Sequence, residues 1–166
     1  MIAAVRAELL RARSGLSTMV IVLLALLLPL VILSGDDVLG RVSALGADRA
    51  AALLTAPLAW VFVAAMFAGS FSVTREYYYN SMSRSLTQVG FTRLFAGKTL
   101  AAGVAGGLLA LGAAAVWMSG VVGVLLAHGM MPVITPEIVR TVVGVVPASV
   151  VGGVLGAGIG WIARNY

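Results

Sequence analysis

Cysteine is absent from this chain of 166 residues, charged residues make up only 10% of it, and histidine occurs once. The lack of cysteine excludes disulfides and thiolate metal sites. A soluble domain has about 25% charged residues because it has a large wet surface to cover. With so few charges and 61% apolar residues, the chain is predicted to lie in a membrane.

The apolar residues are gathered in four uncharged runs of 22 residues or more, at 14–35, 50–74, 99–127 and 141–163. A helix needs about 20 residues to cross a hydrocarbon core of roughly 30 Å. A transmembrane β-barrel would instead show short alternating segments, which these runs lack. We therefore predict an all-α polytopic membrane protein. Its single transmembrane domain, residues 1–166, has four transmembrane helices at about residues 17–34, 56–74, 99–122 and 141–163.

The net charge of +5 is unevenly distributed along the chain. The segments on one predicted side of the membrane (residues 1–17, 75–98 and 164) sum to +6, and the loops on the other side sum to −1. Basic residues collect on the cytoplasmic side of membrane proteins, so both termini are predicted to be cytoplasmic. The basic residues are then placed to attract anionic lipid, and no nucleic-acid partner is expected.

The segment before the first span allows two structures. Ile2, Val5 and Leu9 share one helical stripe, with Arg6 and Arg13 at its edge. This pattern predicts an amphipathic helix over residues 2–13 that lies at the membrane interface. The alternative is a simple cytoplasmic extension of the first span.

Residues 75–98 form a polar segment between two apolar runs and are the best candidate for a functional site. Glu76 is expected to form an exposed ion pair where the chain leaves the membrane. Ser81 can cap a short helix that Gly90 ends, and this helix has an apolar stripe at i, i+4 and i+7. Such a helix can dock into the groove of a soluble partner, or it can rest on lipid headgroups. The candidate partner-binding residues are Arg75, Glu76, Ser81, Met82, Leu86, Val89 and Arg93.

Glycines recur at four-residue spacing in the fourth predicted span, at Gly152, Gly156 and Gly160. This spacing puts them on one helical face, where a neighbouring backbone can approach closely. The pattern predicts a helix-packing surface but leaves open whether the second helix belongs to this chain or to another.

Residues that carry chemistry are scarce. No predicted span has a central ionisable residue, which disfavours a secondary carrier. His128 is predicted to be a solvated loop residue without metal-ligand companions. Gly97-Lys98-Thr99 resembles the end of a nucleotide-binding loop, but Thr92 stands where that loop needs a glycine. We therefore predict no catalytic residue, metal site or cofactor, and no enzymatic activity in this chain.

The second span and the polar segment resemble the type-2 permease subunit of ATP-binding-cassette (ABC) transporters. The resemblance rests on FSVTREYYYNSMSRSLTQVGFTRLFAGKTL, in which Glu76 leaves the span and Gly97-Lys98 opens the next one. The residues that match the family in kind are Ser81, Leu86, Arg93 and Lys98. The resemblance implies a coupling helix gripped by a cytoplasmic ABC ATPase subunit, and a second permease subunit as partner. Permeases of this family usually have six spans, so the chain is expected to lack the last two.

The sequence thus predicts the permease subunit of an ATP-driven exporter in a bacterial plasma membrane, with ATP hydrolysis on a separate subunit. The alternative is a non-transporting membrane protein for assembly, immunity or sensing that binds a cytoplasmic partner through residues 75–98.

Overall fold

The computed structural model describes residue 10 and residues 16–34, 41–78 and 81–163. These residues form helices, turns and loops, with no strand among them. The predicted interfacial helix over residues 2–13 falls almost wholly outside the described part. The α-helices are α1 (Leu16–Ser34), α2 (Ala47–Thr55), α3 (Val61–Tyr78), α4 (Met82–Val89), α5 (Phe91–Ala127) and α6 (Pro136–Ile162), with 3-10 turns at Val42–Ala44 and Ala56–Trp60.

Among the residues that the structure describes, three helical segments are long and apolar enough to cross a membrane. They are Ala47–Tyr78, in which α2, a 3-10 turn and α3 follow one another without a break, and the helices α5 and α6. The fold is therefore that of a helical membrane protein. The apolar stretch described in α1, Thr18–Val31, is shorter, so the count of four spans stays a prediction.

Helix α5 begins at Phe91 and has 37 residues, whereas the sequence predicted a span that begins at residue 99. At 1.5 Å of rise per residue it is about 55 Å long, well beyond the roughly 30 Å hydrocarbon core. Gly90 has a φ of +79° and separates α4 from α5. A positive φ lets the chain turn sharply at this point, and glycine adopts it with little strain because it has no Cβ. The return from the polar segment is therefore helical from its first turn, and the bounds of the membrane span within α5 stay a prediction.

Helices α3 and α6 run parallel and touch backbone to backbone. A Cβ built on Gly152 would lie 2.8 Å from the carbonyl oxygen of Phe62, and one on Gly160 would lie 2.8 Å from that of Ser70. A Cβ on Gly156 would collide with the backbone of Met66. The predicted glycine face therefore packs on α3 of the same chain. Close approach of this kind replaces the hydrophobic driving force that lipid does not supply.

A second small-residue contact joins α5 to α6 in antiparallel fashion, and the sequence analysis did not predict it. Added Cβ atoms on Gly106 and Gly153 would collide with the carbonyl groups of Ser149 and Ala102, respectively. Gly153 lies next to the glycine face that contacts α3, so α6 presents small residues on two adjacent faces. It is held between α3 and α5 for this reason.

Buried side chains form clusters along the helices. One joins α2 to the end of α5 and includes Leu54 and Leu125, and another joins α1 to α3 and α5 through Ala25 and Val61. The indole N–H of Trp117 donates a 2.9 Å hydrogen bond to the carbonyl of Leu54 and fixes α5 against α2. The third cluster lies where α3 ends and α5 begins, beneath α4. This end of the bundle carries the polar segment.

Candidate functional site

A buried ion pair joins α3 to α5 at the base of the polar segment. Lys98 Nζ lies 2.9 Å from Glu76 Oε1 and donates a 3.1 Å hydrogen bond to the carbonyl oxygen of Ser72. Glu76 is 5% exposed and Lys98 is 1% exposed. Removing two charges from water costs several kcal/mol per ion, and close pairing with further hydrogen bonds offsets that cost. Loss of either partner would leave the other charge buried.

Helical spacing brings these groups together. Ser72 and Glu76 are four residues apart on α3, so they share one face of the helix. Lys98 lies two turns into α5, where its long side chain reaches both groups. The sequence analysis predicted that the ion pair of Glu76 is exposed. This prediction is wrong, because the pair is buried. Because Glu76 and Lys98 are 22 residues apart in the chain, no local sequence pattern indicates that they are in contact.

The short helix α4 is anchored to the end of α3. Ser81 donates two hydrogen bonds to the carbonyl oxygen of Glu76, from its backbone N–H at 3.0 Å and from its hydroxyl at 3.3 Å. Ser81 holds the N-cap position of α4, as predicted, but its side chain makes no capping hydrogen bond. Instead it ties the start of α4 to the residue that pairs with Lys98.

The apolar side of α4 faces the interior of this chain. Met82 is 3% exposed and packs in one cluster with Val73 and Leu94, and Leu86 packs against the same cluster. Both side chains cover the chain's own core in this structure, and their use as anchors in a partner's groove stays a prediction. Val89 is the last residue of α4, and its side chain lies outside the described part.

The other side of α4 is polar and exposed. The hydroxyl of Thr87 donates to the carbonyl of Arg84 at 2.9 Å, within the helix. Arg93 is exposed on the first turn of α5. We call the exposed residues of α4 the outer face; they are Ser83, Arg84, Thr87 and Gln88. With Arg84 and Arg93 both basic, this end of the molecule suits an acidic surface on a partner.

Aromatic side chains surround the first turn of α5. The Trp161 ring, near the end of α6, contacts Phe91 edge-on with ring centroids 5.7 Å apart and Phe95 at 5.5 Å. Tyr77 meets the same ring from α3 at 6.3 Å. Tryptophan and tyrosine concentrate at membrane interfaces, so this cluster indicates the headgroup level on the side of α4.

An elongated groove of about 460 Å³ lies between α1, α3 and α5. Most of the described residues that line it are apolar, among them Val22 and Leu108. Arg75, which the sequence analysis assigned to partner binding, is half-buried and lines the groove at the end where α3 meets α4.

Within the described residues, no group of three acidic or histidine side chains could hold a metal ion. His128 is exposed at the end of α5, and its Nδ1 lies 2.9 Å from the carbonyl oxygen of Val124.

Comparison of the chain with protein-family models, with curated proteins and with solved structures gives no match. The function must therefore be argued from the ion pair, from α4 and from the groove.

Proposed function

We propose that this chain is the transmembrane permease subunit of an ATP-driven ABC exporter, and that α4 is the helix through which a separate ATPase subunit moves it. The supporting observation is that α4 stands between two membrane helices and is attached to both. Its start is bonded to Glu76 of α3, and the side chain of Glu76 is paired with Lys98 of α5.

This attachment gives α4 a mechanical role. A force on its outer face passes through the bonds of Ser81 to the end of α3, and through the Glu76–Lys98 pair to α5. The buried side chain of Met82, the first residue of α4, anchors the short helix to the core, so that α4 does not move on its own. Because packed helices shift as rigid bodies, displacement of α4 reaches the far side of the bundle along α3 and α5.

The proposal places both termini and α4 in the cytoplasm of a bacterial cell, with the exporter in the plasma membrane. The positive-inside distribution of charge supports this orientation. A second permease subunit, of the same or another sequence, would complete the translocation path. The ATPase would present an acidic surface to Arg84 and Arg93.

The test is quantitative co-purification of an ATP-hydrolysing subunit with the tagged full chain from its native membranes. Arg84→Glu reverses a charge on the outer face, and we expect it to lower recovery of ATPase activity at least about tenfold, equivalent to about 1.4 kcal/mol of binding. Arg140→Glu is the matched control, since Arg140 is also exposed but lies on α6 at the opposite end of the bundle.

The competing function, a non-transporting membrane protein that binds a different cytoplasmic partner, makes another prediction. In that case the partner recovered through α4 hydrolyses no ATP. Equal ATPase recovery with Arg84→Glu and with wild type would also contradict the proposed role of α4.

A further inference from the structure

A cleft of about 710 Å³ lies between α2 and the first turns of α6, at the end of the bundle opposite α4. Two acidic and two basic side chains line it, Asp48 and Arg49 from α2 and Glu137 and Arg140 from α6. All four are exposed, and among the described residues none of them forms an ion pair. Both signs of charge are therefore available to a ligand that itself carries both.

The packing of α3 on α6 explains why these charges meet. Phe62 lies beside Gly152 in that contact, a difference of 90 in residue number. The helical segment that contains α3 begins with α2 and has no break. The same difference therefore puts Asp48 and Arg49 level with residues 138 and 139, and the two charged residues of α6 flank these positions. Parallel packing thus brings together charges that are far apart in the sequence.

The cleft lies at the depth of lipid headgroups. Beyond Arg140, residues 141–162 of α6 carry no charge. At 1.5 Å of rise per residue this stretch is about 33 Å long, close to one hydrocarbon core of roughly 30 Å. Trp161, near the other end of α6, belongs to the aromatic cluster that indicates the headgroup level on the side of α4. Arg140 and the cleft therefore border the hydrocarbon core on the opposite side.

Apolar side chains continue from the cleft toward the hydrocarbon core. Leu53 lines the cleft, Ala56 and Trp60 follow it three and seven residues later, and all three are exposed. On α6, Val143 is 65% exposed one turn beyond Arg140. A molecule with its polar head in the cleft can cover this surface with an acyl chain, which removes apolar area from contact with other lipid and fixes its position. These features fit a lipid better than a small soluble zwitterion.

We propose that the cleft binds one phospholipid whose zwitterionic headgroup carries a primary ammonium. Its phosphate lies at Arg49 and Arg140, because guanidinium groups match the geometry of phosphate oxygens. Its ammonium lies at Asp48 and Glu137, whose carboxylates accept hydrogen bonds that a primary ammonium donates and a quaternary ammonium cannot. The site therefore prefers phosphatidylethanolamine to phosphatidylcholine, and also to phosphatidylglycerol, which has no cationic group.

This proposal does not rest on the exporter function. Because the cleft is at the end of the bundle opposite α4, substitutions in it are expected to leave the recovery of an ATPase through α4 unchanged. Failure of one proposal is therefore distinguishable from failure of the other.

The test uses the full chain in vesicles of equal parts phosphatidylethanolamine, phosphatidylcholine and phosphatidylglycerol with identical acyl chains. After extraction into a mild detergent, native mass spectrometry counts the lipids that stay bound. We expect wild type to retain one phosphatidylethanolamine, in at least tenfold excess over each of the other two. This preference is measured on the unchanged chain, so it does not depend on how well any variant folds. Similar retention of the three lipids would overturn the proposal.

Charge substitutions test which groups read the headgroup. Arg49→Gln is expected to lower the retained phosphatidylethanolamine at least tenfold. Arg41→Gln is the matched control, because Arg41 is also exposed and does not line the cleft. The double variant Asp48→Asn, Glu137→Gln keeps both arginines of the cleft and is expected to retain phosphatidylglycerol instead. In detergent without lipid each variant is expected to unfold at the temperature of wild type. Unchanged lipid retention by Arg49→Gln would contradict the site.

Free phosphoethanolamine separates a lipid site from a site for a soluble molecule. It carries the same charged groups and has no acyl chain. We expect it not to displace the bound lipid from wild type at a concentration of 10 mM, on the order of a thousand times that of the protein, because it leaves the apolar surface below the cleft uncovered. Complete displacement at that concentration would show that the headgroup alone is recognised and would overturn the assignment to a lipid.

Discussion

Glu76 and Lys98 form an ion pair of 2.9 Å whose side chains are 7% and 0% exposed, respectively. The pair joins the last turn of α3 to the beginning of α5, directly beneath α4. The ion pair therefore holds α3 against α5. It also connects α4 to both membrane helices, because Ser81 at the start of α4 is bonded to Glu76.

The first prediction concerns this pair. Glu76→Gln or Lys98→Met alone is expected to lower the free energy of unfolding by about 3–5 kcal/mol, because each removes one partner of a buried ion pair. The double variant is expected to be at least as stable as either single variant, because it removes both charges. Unfolding in detergent micelles measures the three values.

Glu137→Gln is the control for the loss of a carboxylate, since Glu137 is exposed at the start of α6. It is expected to change the free energy of unfolding by no more than about 0.5 kcal/mol. If the decrease in the free energy of unfolding of the double variant equals the sum of the two single decreases, the two side chains act independently and do not form a stabilising ion pair.

The second prediction concerns the contact between α3 and α6. Gly156→Ala is expected to lower stability by about 1–3 kcal/mol, because its Cβ collides with the backbone of Met66. Gly158→Ala, two residues along the same helix, has no atom within 4 Å of the added Cβ. It is expected to be neutral or to stabilise the helix by up to about 1 kcal/mol. Equal effects of the two substitutions on thermal unfolding would contradict the backbone contact.

The third prediction concerns orientation. The chain has no cysteine, so a single introduced cysteine is the only thiol in it that a reagent can label. Ala44 and Ser83 are both exposed and lie at opposite ends of the bundle. A membrane-impermeant thiol reagent is expected to label Ala44→Cys in intact cells, and Ser83→Cys only after the membrane is opened. The reverse pattern would invert the topology and place α4 outside the cell.

The sequence predicted those parts of the fold that depend on local pattern. Hydropathy indicated the long helices because a span must be apolar over its whole length. Four-residue spacing indicated the face of Gly152, Gly156 and Gly160, because spacing fixes which residues share a helical side. The spacing could not show that these glycines pack on α3, because α3 lies some 90 residues earlier in the chain.

The candidate site was only partly predictable. The periodicity of Met82 and Leu86 shows that α4 has an apolar side, but an apolar side covers the chain's own core as well as it fits a partner's groove. The contact between Glu76 and Lys98 depends on how α3 and α5 pack together. The groove at Arg75 needs three helices in place, and no motif marks it in the sequence.

Cross-linking from the outer face of α4 tests the central claim most directly. Thr87 is exposed in the middle of that face and Ala44 lies at the other end of the bundle. With a photoactivatable thiol reagent in native membranes, Thr87→Cys is expected to cross-link to a soluble subunit that hydrolyses ATP, and Ala44→Cys is expected not to. If Thr87→Cys captures no ATP-hydrolysing subunit while the chain is inserted normally, α4 does not couple this protein to an ATPase.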